Sequence, residues 1–136
     1  MTMRSLRRTI TLLVYLSGGL ASLNVELKAA SLTLLKGETN RVVETSFTAT
    51  QAYTDPFNEV SLDVMVTDPL GQERRVPAFW AGGQSWKFRY ASPLAGRHRF
   101  KSISSHTEDQ GLHGITGEIE IGAYTGKNVL YLKGPL

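Results

Sequence analysis

The sequence predicts an all-β domain in which two antiparallel sheets pack face to face. Three observations predict it. Apolar and polar residues alternate strictly in several short runs, the mark of strands buried on one face only. Proline and glycine turns with a fixed backbone logic separate those runs. No stretch holds a 3.6-residue apolar period, so no amphipathic helix competes for the core. The chain of 136 residues suits one domain with an ordinary hydrophobic core.

The strands are expected near 31–36, 42–49, 60–67, 73–79, 86–91, 97–104 and 116–122. In "VVETSFTA", Val43, Thr45, Phe47 and Ala49 share one side, and Glu44, Ser46 and Thr48 the other. "VSLDVMVTD" is clearer: Val60, Leu62, Val64 and Val66 face in, while Ser61, Asp63 and Thr67 face out. "WKFRY" sets Trp86, Phe88 and Tyr90 against Lys87 and Arg89, and "GEIEIG" sets Ile119 and Ile121 against Glu118 and Glu120. "TDPFN" and "DPLG" place proline after aspartate where a turn bends, "SPLAG" repeats the device, and "GLHGITG" supplies three glycines before the last strand. About seven short antiparallel strands on this spacing make a β-sandwich of immunoglobulin type, with a small barrel as the alternative.

The first residues are set aside. "MTMRSLRR" is cationic, "TITLLVYL" is apolar but too short to span a bilayer, and "SGGLAS" offers small residues for cleavage. That order reads as a signal peptide over residues 1–21, cut after Ala21, followed by a linker over 22–30. The sandwich is expected over 31–125, in a secreted or periplasmic bacterial protein with no membrane attachment once the signal is cut. The full chain carries 15 basic and 12 acidic side chains, a net charge of +3. Arg4, Arg7 and Arg8 belong to the signal, which leaves 12 bases against 12 acids. A neutral mature chain gives no electrostatic case for nucleic acid. The chain has no cysteine, which excludes disulfides, thiolate metal sites and a cysteine nucleophile.

The segment from Val42 to Phe100, continuing into "GLHGITGEIEIG", resembles a bacterial domain family of unknown function. That family is an immunoglobulin-like module N-terminal to secreted glycoside hydrolase barrels, apiosidase-like and related. The resemblance rests on Glu44 ahead of Ser46-Phe47, Tyr53 with Asp55-Pro56-Phe57, Pro69 and Gly71, Phe79-Trp80 with Gly82-Gly83, Trp86 to Arg89, and Gly96. It covers about residues 42–133. Ala81 stands where the family usually has an acidic residue, and His98 where it usually has tryptophan. The resemblance implies a non-catalytic accessory module whose partner is a C-terminal catalytic (β/α)-barrel of the same parent protein. Residues 126–136, with "NVLYLKGPL", resemble the start of the connection to that barrel. A (β/α)8 barrel needs roughly 250 residues, more than this chain has, so the catalytic domain is expected to lie outside it.

The candidate contact residues, for a glycan or for the neighbouring domain, are Trp80, Gln84, Trp86 and Arg89. The first suspects for packing on that domain are outward-facing residues: Trp80, the 81–85 loop and the C-terminal "LYLKGPL". The five-residue connection Ser92 to Gly96 predicts a hairpin setting Tyr90 opposite His98, Phe88 opposite Phe100 and Trp86 opposite Ser102. Its inner face is aromatic, and each buried ring would contribute on the order of 2–3 kcal/mol. Trp86 therefore reads first as core, whereas Trp80, beside the Gly-Gly turn, is open to either role. The same register places Arg89 opposite Arg99 and Lys87 opposite Lys101, like charges that need an offset. Glu118 and Glu120 would supply it from the final strand. An anionic glycan or the missing catalytic domain is the alternative, and a polysaccharide partner more broadly goes with an autonomous carbohydrate-binding module.

No catalytic set assembles. Glu118 and Glu120 would lie roughly 7 Å apart along a strand, near a glycosidase separation, but they point in parallel into water with no cleft between them. His98, His106 and His113 lack metal-ligand spacing and read as solvated surface residues. Asp55, Glu59 and Asp63 lack the oxygen-rich run of a calcium loop. Neither a cofactor nor a metal is expected.

Overall fold

The computed structural model describes residues 32–134. The signal peptide and linker read over residues 1–30 lie outside them. The chain runs β1 (Thr33–Glu38), β2 (Val43–Thr48), α1 (Pro56–Glu59), β3 (Leu62–Thr67), β4 (Glu73–Pro77), β5 (Phe79–Gly82), β6 (Ser85–Tyr90), β7 (Gly96–Ser104), β8 (Thr116–Gly122) and α2 (Val129–Lys133). A five-stranded sheet in the order β1-β8-β7-β3-β4 faces a three-stranded sheet in the order β2-β6-β5. This is the expected all-β sandwich, with eight strands rather than seven. Two helical turns were not foreseen. The first forms because Pro56 pre-sets the first helical residue and the Asp55 carboxylate caps it, accepting from the Asn58 amide, while Glu59 Oε1 accepts from the Asp55 amide.

Alternation decides which side chains go inside. Val43, Phe47 and Ala49, Val60 to Val66 at every second position, Trp86, Phe88, Tyr90, Phe100, Ile119 and Ile121 are all buried. The pairing of strands departs from expectation in three places. β6 and β7 do not form a hairpin. β6 pairs with β2 and β5, while β7 pairs with β3 and β8 on the opposite sheet. Tyr90 and His98, and Phe88 and Phe100, still meet, but across the sandwich: their ring centroids are 5.5 Å and 5.9 Å apart. Second, the run expected as one strand over 73–79 breaks at Ala78. The Ala78 amide still donates to the Leu62 carbonyl of β3, and Phe79 already pairs with Lys87 of the other sheet. One extended segment thus serves both layers. Third, β1 pairs parallel with β8, so the sandwich is not purely antiparallel.

His98, expected in solvent, is fully buried. Its Nε2 lies 3.1 Å from the Leu94 carbonyl, which can only accept, so Nε2 carries a proton. The Tyr90 hydroxyl meets Nδ1 at 3.1 Å, and both polar edges of the ring are thereby satisfied inside the core. Gly117 is a strand residue because Phe100 lies over it: a Cβ there would collide with that ring.

The pole of the sandwich carrying α1 and the loop from Ser105 to Ile115 is closed by a carboxylate. Asp109 is fully buried. Its Oδ1 accepts from the Thr50 amide (2.9 Å), the Thr50 hydroxyl (2.8 Å) and the Gly111 amide (3.0 Å). Its Oδ2 accepts from the Gln51 amide (3.3 Å) and the Tyr53 hydroxyl (2.8 Å). Burial alone would raise the pKa of this carboxyl; the donors of Thr50, Tyr53 and Gly111 more than offset it and hold the value at about 2. Tyr53 responds in the opposite sense, pushed up to about 12 by burial and by donating to the charged carboxylate. Asp109 thus ties the segment after β2 to the loop between β7 and β8, nearly sixty positions later.

Two outcomes test this account. Phe88→Ala should cost about 3–5 kcal/mol of unfolding free energy in urea. Asp109 titrates at 3.8 in its ordinary state and at about 2 when folded, so its contribution is full above pH 4 and lost as the pH falls towards 2. Asp109→Asn should therefore cost on the order of 2 kcal/mol at pH 7, while the gap in urea midpoint between variant and parent narrows towards pH 2 and closes below it.

Candidate functional site

Three groups of side chains could carry function: the notional sugar-binding turn between β5 and β6, the charged outer faces of the sheets, and the apolar pole at α2. The turn is built on Gly82 (φ 103°) and Gly83 (φ 54°), consecutive left-handed residues that only glycine adopts at no cost. Trp80 lies opposite Trp86 in the β5–β6 register, so it belongs to the core-facing side of an edge strand. It is 37% exposed, and its indole Nε1 donates to the Gly83 carbonyl at 2.9 Å, which fixes the ring beside its own turn. Gln84 is exposed, and its carbonyl accepts from the Ala49 amide. Trp86 is 3% exposed and cannot touch a ligand or a neighbouring domain. It is core, and its buried Nε1 has no hydrogen-bond partner among the described residues, a feature nothing in the structure explains. Arg89 is exposed, and its guanidinium lies 5.1 Å from the centroid of Phe79, a cation–π contact on the outer face.

Like charges are not stacked on either sheet. Lys87 and Arg89 both reach Glu44 of β2, at 2.8 Å and 2.6 Å, because β2 and not β7 is the neighbour of β6. Those contacts lower the Glu44 pKa, first through the hydrogen bond from Lys87 and then through that from Arg89. On the opposite sheet β8 does lie beside β7, as expected. Glu118 sits opposite Arg99 and reaches both Arg97 (3.5 Å) and Arg99 (3.7 Å). Glu120 lies opposite Arg97. Asp63 pairs with Arg75 at 2.6 Å. Glu44, Glu118 and Asp63 are thus engaged as counter-ions.

The remaining titratable cluster surrounds His106. Its ring tilts against Tyr53 with centroids 5.0 Å apart, Nδ1 lies 3.2 Å from Glu108 and Nε2 3.1 Å from the Glu59 carbonyl. The Glu108 hydrogen bond and then the Glu59 carbonyl raise the histidine pKa. Asp109, the strongest electrostatic feature of that pole, has both oxygens filled by donors and no access to solvent. It is a clasp. Among the described residues no three His, Asp or Glu gather as a metal site, and no helix is long and apolar enough to cross a membrane.

The opposite pole is different in character. α2 is a single turn capped by Asn128, whose side chain accepts from the Leu130 amide, and closed by Gly134 at φ 78°. Asn40, the one described non-glycine residue with positive φ, donates from Nδ2 to the Tyr131 carbonyl at 2.8 Å. Tyr124 meets Tyr131 edge-on at 5.3 Å, and Arg41 lies 5.9 Å over the same ring. The turn is held firmly, yet Val129, Leu130 and Leu132 are 57%, 65% and 55% exposed. A cleft of about 440 Å³ opens between the Asn40 turn, Ala91 to Pro93, and Leu130 with Tyr131. The sequence points to "LYLKGPL" as a packing segment but gives no hint of this shape, because a single turn carries no helical periodicity.

The fold resembles a crystal structure from Bacteroides vulgatus ATCC 8482, named a "putative glycoside hydrolase", with a TM-score of 0.58 and 22% sequence identity. The likeness covers 68% of this chain and 17% of that one. No curated protein matches the sequence. Residues 37–105 match the family described as "Domain of unknown function (DUF5060)". That match takes in the end of β1, all of β2 to β7 and half of the sequence: the chain belongs to the DUF5060 family.

Proposed function

We propose that this domain is the non-catalytic N-terminal accessory module of a secreted glycoside hydrolase, exported by residues 1–21, that packs on or orients a catalytic (β/α)-barrel. The observation that carries the reading is the likeness to a Bacteroides vulgatus chain of that enzyme class, of which the shared fold is only 17%. A sandwich of this kind is there a small part of a much longer polypeptide. The disposition of acids supports a non-catalytic role. Glycoside hydrolysis asks for two carboxylates flanking a bond, one of them free to hold a proton. Asp109 is sealed, Glu44 and Glu118 each serve two cations, and Asp63 serves one.

A second reading, an autonomous carbohydrate-binding module, draws on Trp80 alone. Its half-open indole is pinned to Gly83, which gives a rigid platform of modest area. The two readings separate in one experiment. Against a panel of soluble polysaccharides and aryl glycosides, the purified chain should show neither retention in affinity gels nor turnover. Retention that disappears in Trp80→Ala would favour the binding module instead, and turnover would overturn both. The coding sequence flanking this chain is also expected to contain a (β/α)-barrel, which reading the gene neighbourhood checks directly.

A further inference from the structure

Two surfaces compete to meet a neighbouring domain, and they cannot both do so in one patch. The Trp80–Gln84 turn stands at the start of β6, and the cleft beside Ala91 to Pro93 at its end. Six extended residues separate them, which sets Gln84 and Ala91 roughly 23 Å apart along the strand. The turn end offers one pinned indole among polar groups. The α2 end offers Val129, Leu130 and Leu132 more than half exposed, beside a cleft, with Val42 exposed on the adjoining β1–β2 turn. Exposed aliphatic side chains on a frame of hydrogen bonds and edge-on tyrosines are the anatomy of an interface core, ordered in advance so that little conformational entropy is lost on contact.

The charges around this patch select the occupant. Among the described residues Lys127 and Lys133 flank it, while Arg41 is paired with Glu38 at 2.9 Å and so adds no net charge. A second copy of the chain would bring cations against cations. A surface with an apolar centre and an acidic rim would not.

We propose that the α2 pole, and not the Trp80 turn, is the seat of the catalytic domain, and that the surface it receives there is apolar with acidic residues at its margin. This rests on the accessory-module reading above and goes further, since it commits to one face and to the chemistry of its counterpart. The Tyr131 and Leu132 amides bond to the Asn128 carbonyl and the Gly134 amide to that of Leu130, so three amides report on the patch.

The test compares hydrogen exchange of these three amides in this chain alone and in the parent protein that carries the barrel. Exchange at least roughly tenfold slower in the parent is expected. The double substitution Leu130→Asp and Leu132→Asp, at exposed positions that leave the sandwich core untouched, should abolish that protection in the parent, and Trp80→Ala should leave it intact. Equal exchange in the two contexts, or protection lost in Trp80→Ala and kept in the double variant, would overturn the assignment while sparing the accessory-module reading. A dimer of the isolated chain that dissociates in the double variant would also overturn it, by naming a second copy as the occupant. Absence of any barrel in the flanking coding sequence would remove the accessory-module reading, and the interface with it.

Discussion

The contact on which this structure depends is the meeting of aromatic rings between the two sheets. Phe88 of β6 lies 5.9 Å from Phe100 of β7, and Phe47 of β2 meets the same Phe100 edge-on at 6.5 Å. The three strands involved come from both layers, so this triangle is what makes two sheets into one core. Its neighbours are arranged around it. Gly117 has no side chain because Phe100 occupies the space, Tyr90 stacks on Phe88 at 6.1 Å, and the hydroxyl of Tyr90 then satisfies the buried His98. Aromatic burial supplies the free energy, and the edge-on geometry supplies the directionality.

What the rings do for the centre, polar groups do for the poles. Loops cannot bury backbone amides without partners, and the two ends solve this differently. At one end Asp109 gathers donors from Thr50, Gln51, Tyr53 and Gly111 around a single charge. At the other, Asn40 accepts the left-handed conformation and spends its side chain on the Tyr131 carbonyl. The first solution leaves a sealed polar plug. The second leaves aliphatic side chains standing in the open, because the groups that secure α2 are backbone carbonyls and tyrosine rings and do not cover Leu130 or Leu132. The contrast in chemistry between the poles therefore follows from which atoms each loop uses to satisfy itself.

Much of the fold was legible in the sequence, and the limit of legibility is physical. Alternation in Leu62 to Val66 and in Trp86 to Tyr90 states which side chains go inside, and every one of them does. It carries no information about which strand lies alongside. A connection as short as Ser92 to Gly96 closes a hairpin or steps between layers with equal ease, and the difference is decided by β2, forty residues earlier. Hence Tyr90 with His98 and Phe88 with Phe100 were recognisable as neighbours while the direction of contact was not. The opposing charges follow the same rule: Glu118 met Arg99 as the pattern indicates, but Lys87 and Arg89 found Glu44 because β6 had another partner. His98 reads as solvated by residue type, although the register that sets it opposite Tyr90 already puts it on the inner face, where it is buried. Asp109 left only a weak local trace, an aspartate two residues before a glycine, since its decisive donors lie more than fifty positions away.

The parallel ladder between β1 and β8 carries a mechanical consequence. In an antiparallel pair at this position the chain would come in and leave at the same pole. Here Thr33 aligns with Gly117 and Glu38 with Gly122, so the polypeptide arrives beside the Asp109 plug and departs from the α2 end. Tension along the polypeptide would load that row of backbone hydrogen bonds in shear, all together, instead of peeling them one by one. The β1–β8 ladder thus makes the sandwich stiff to a pull applied between its two poles.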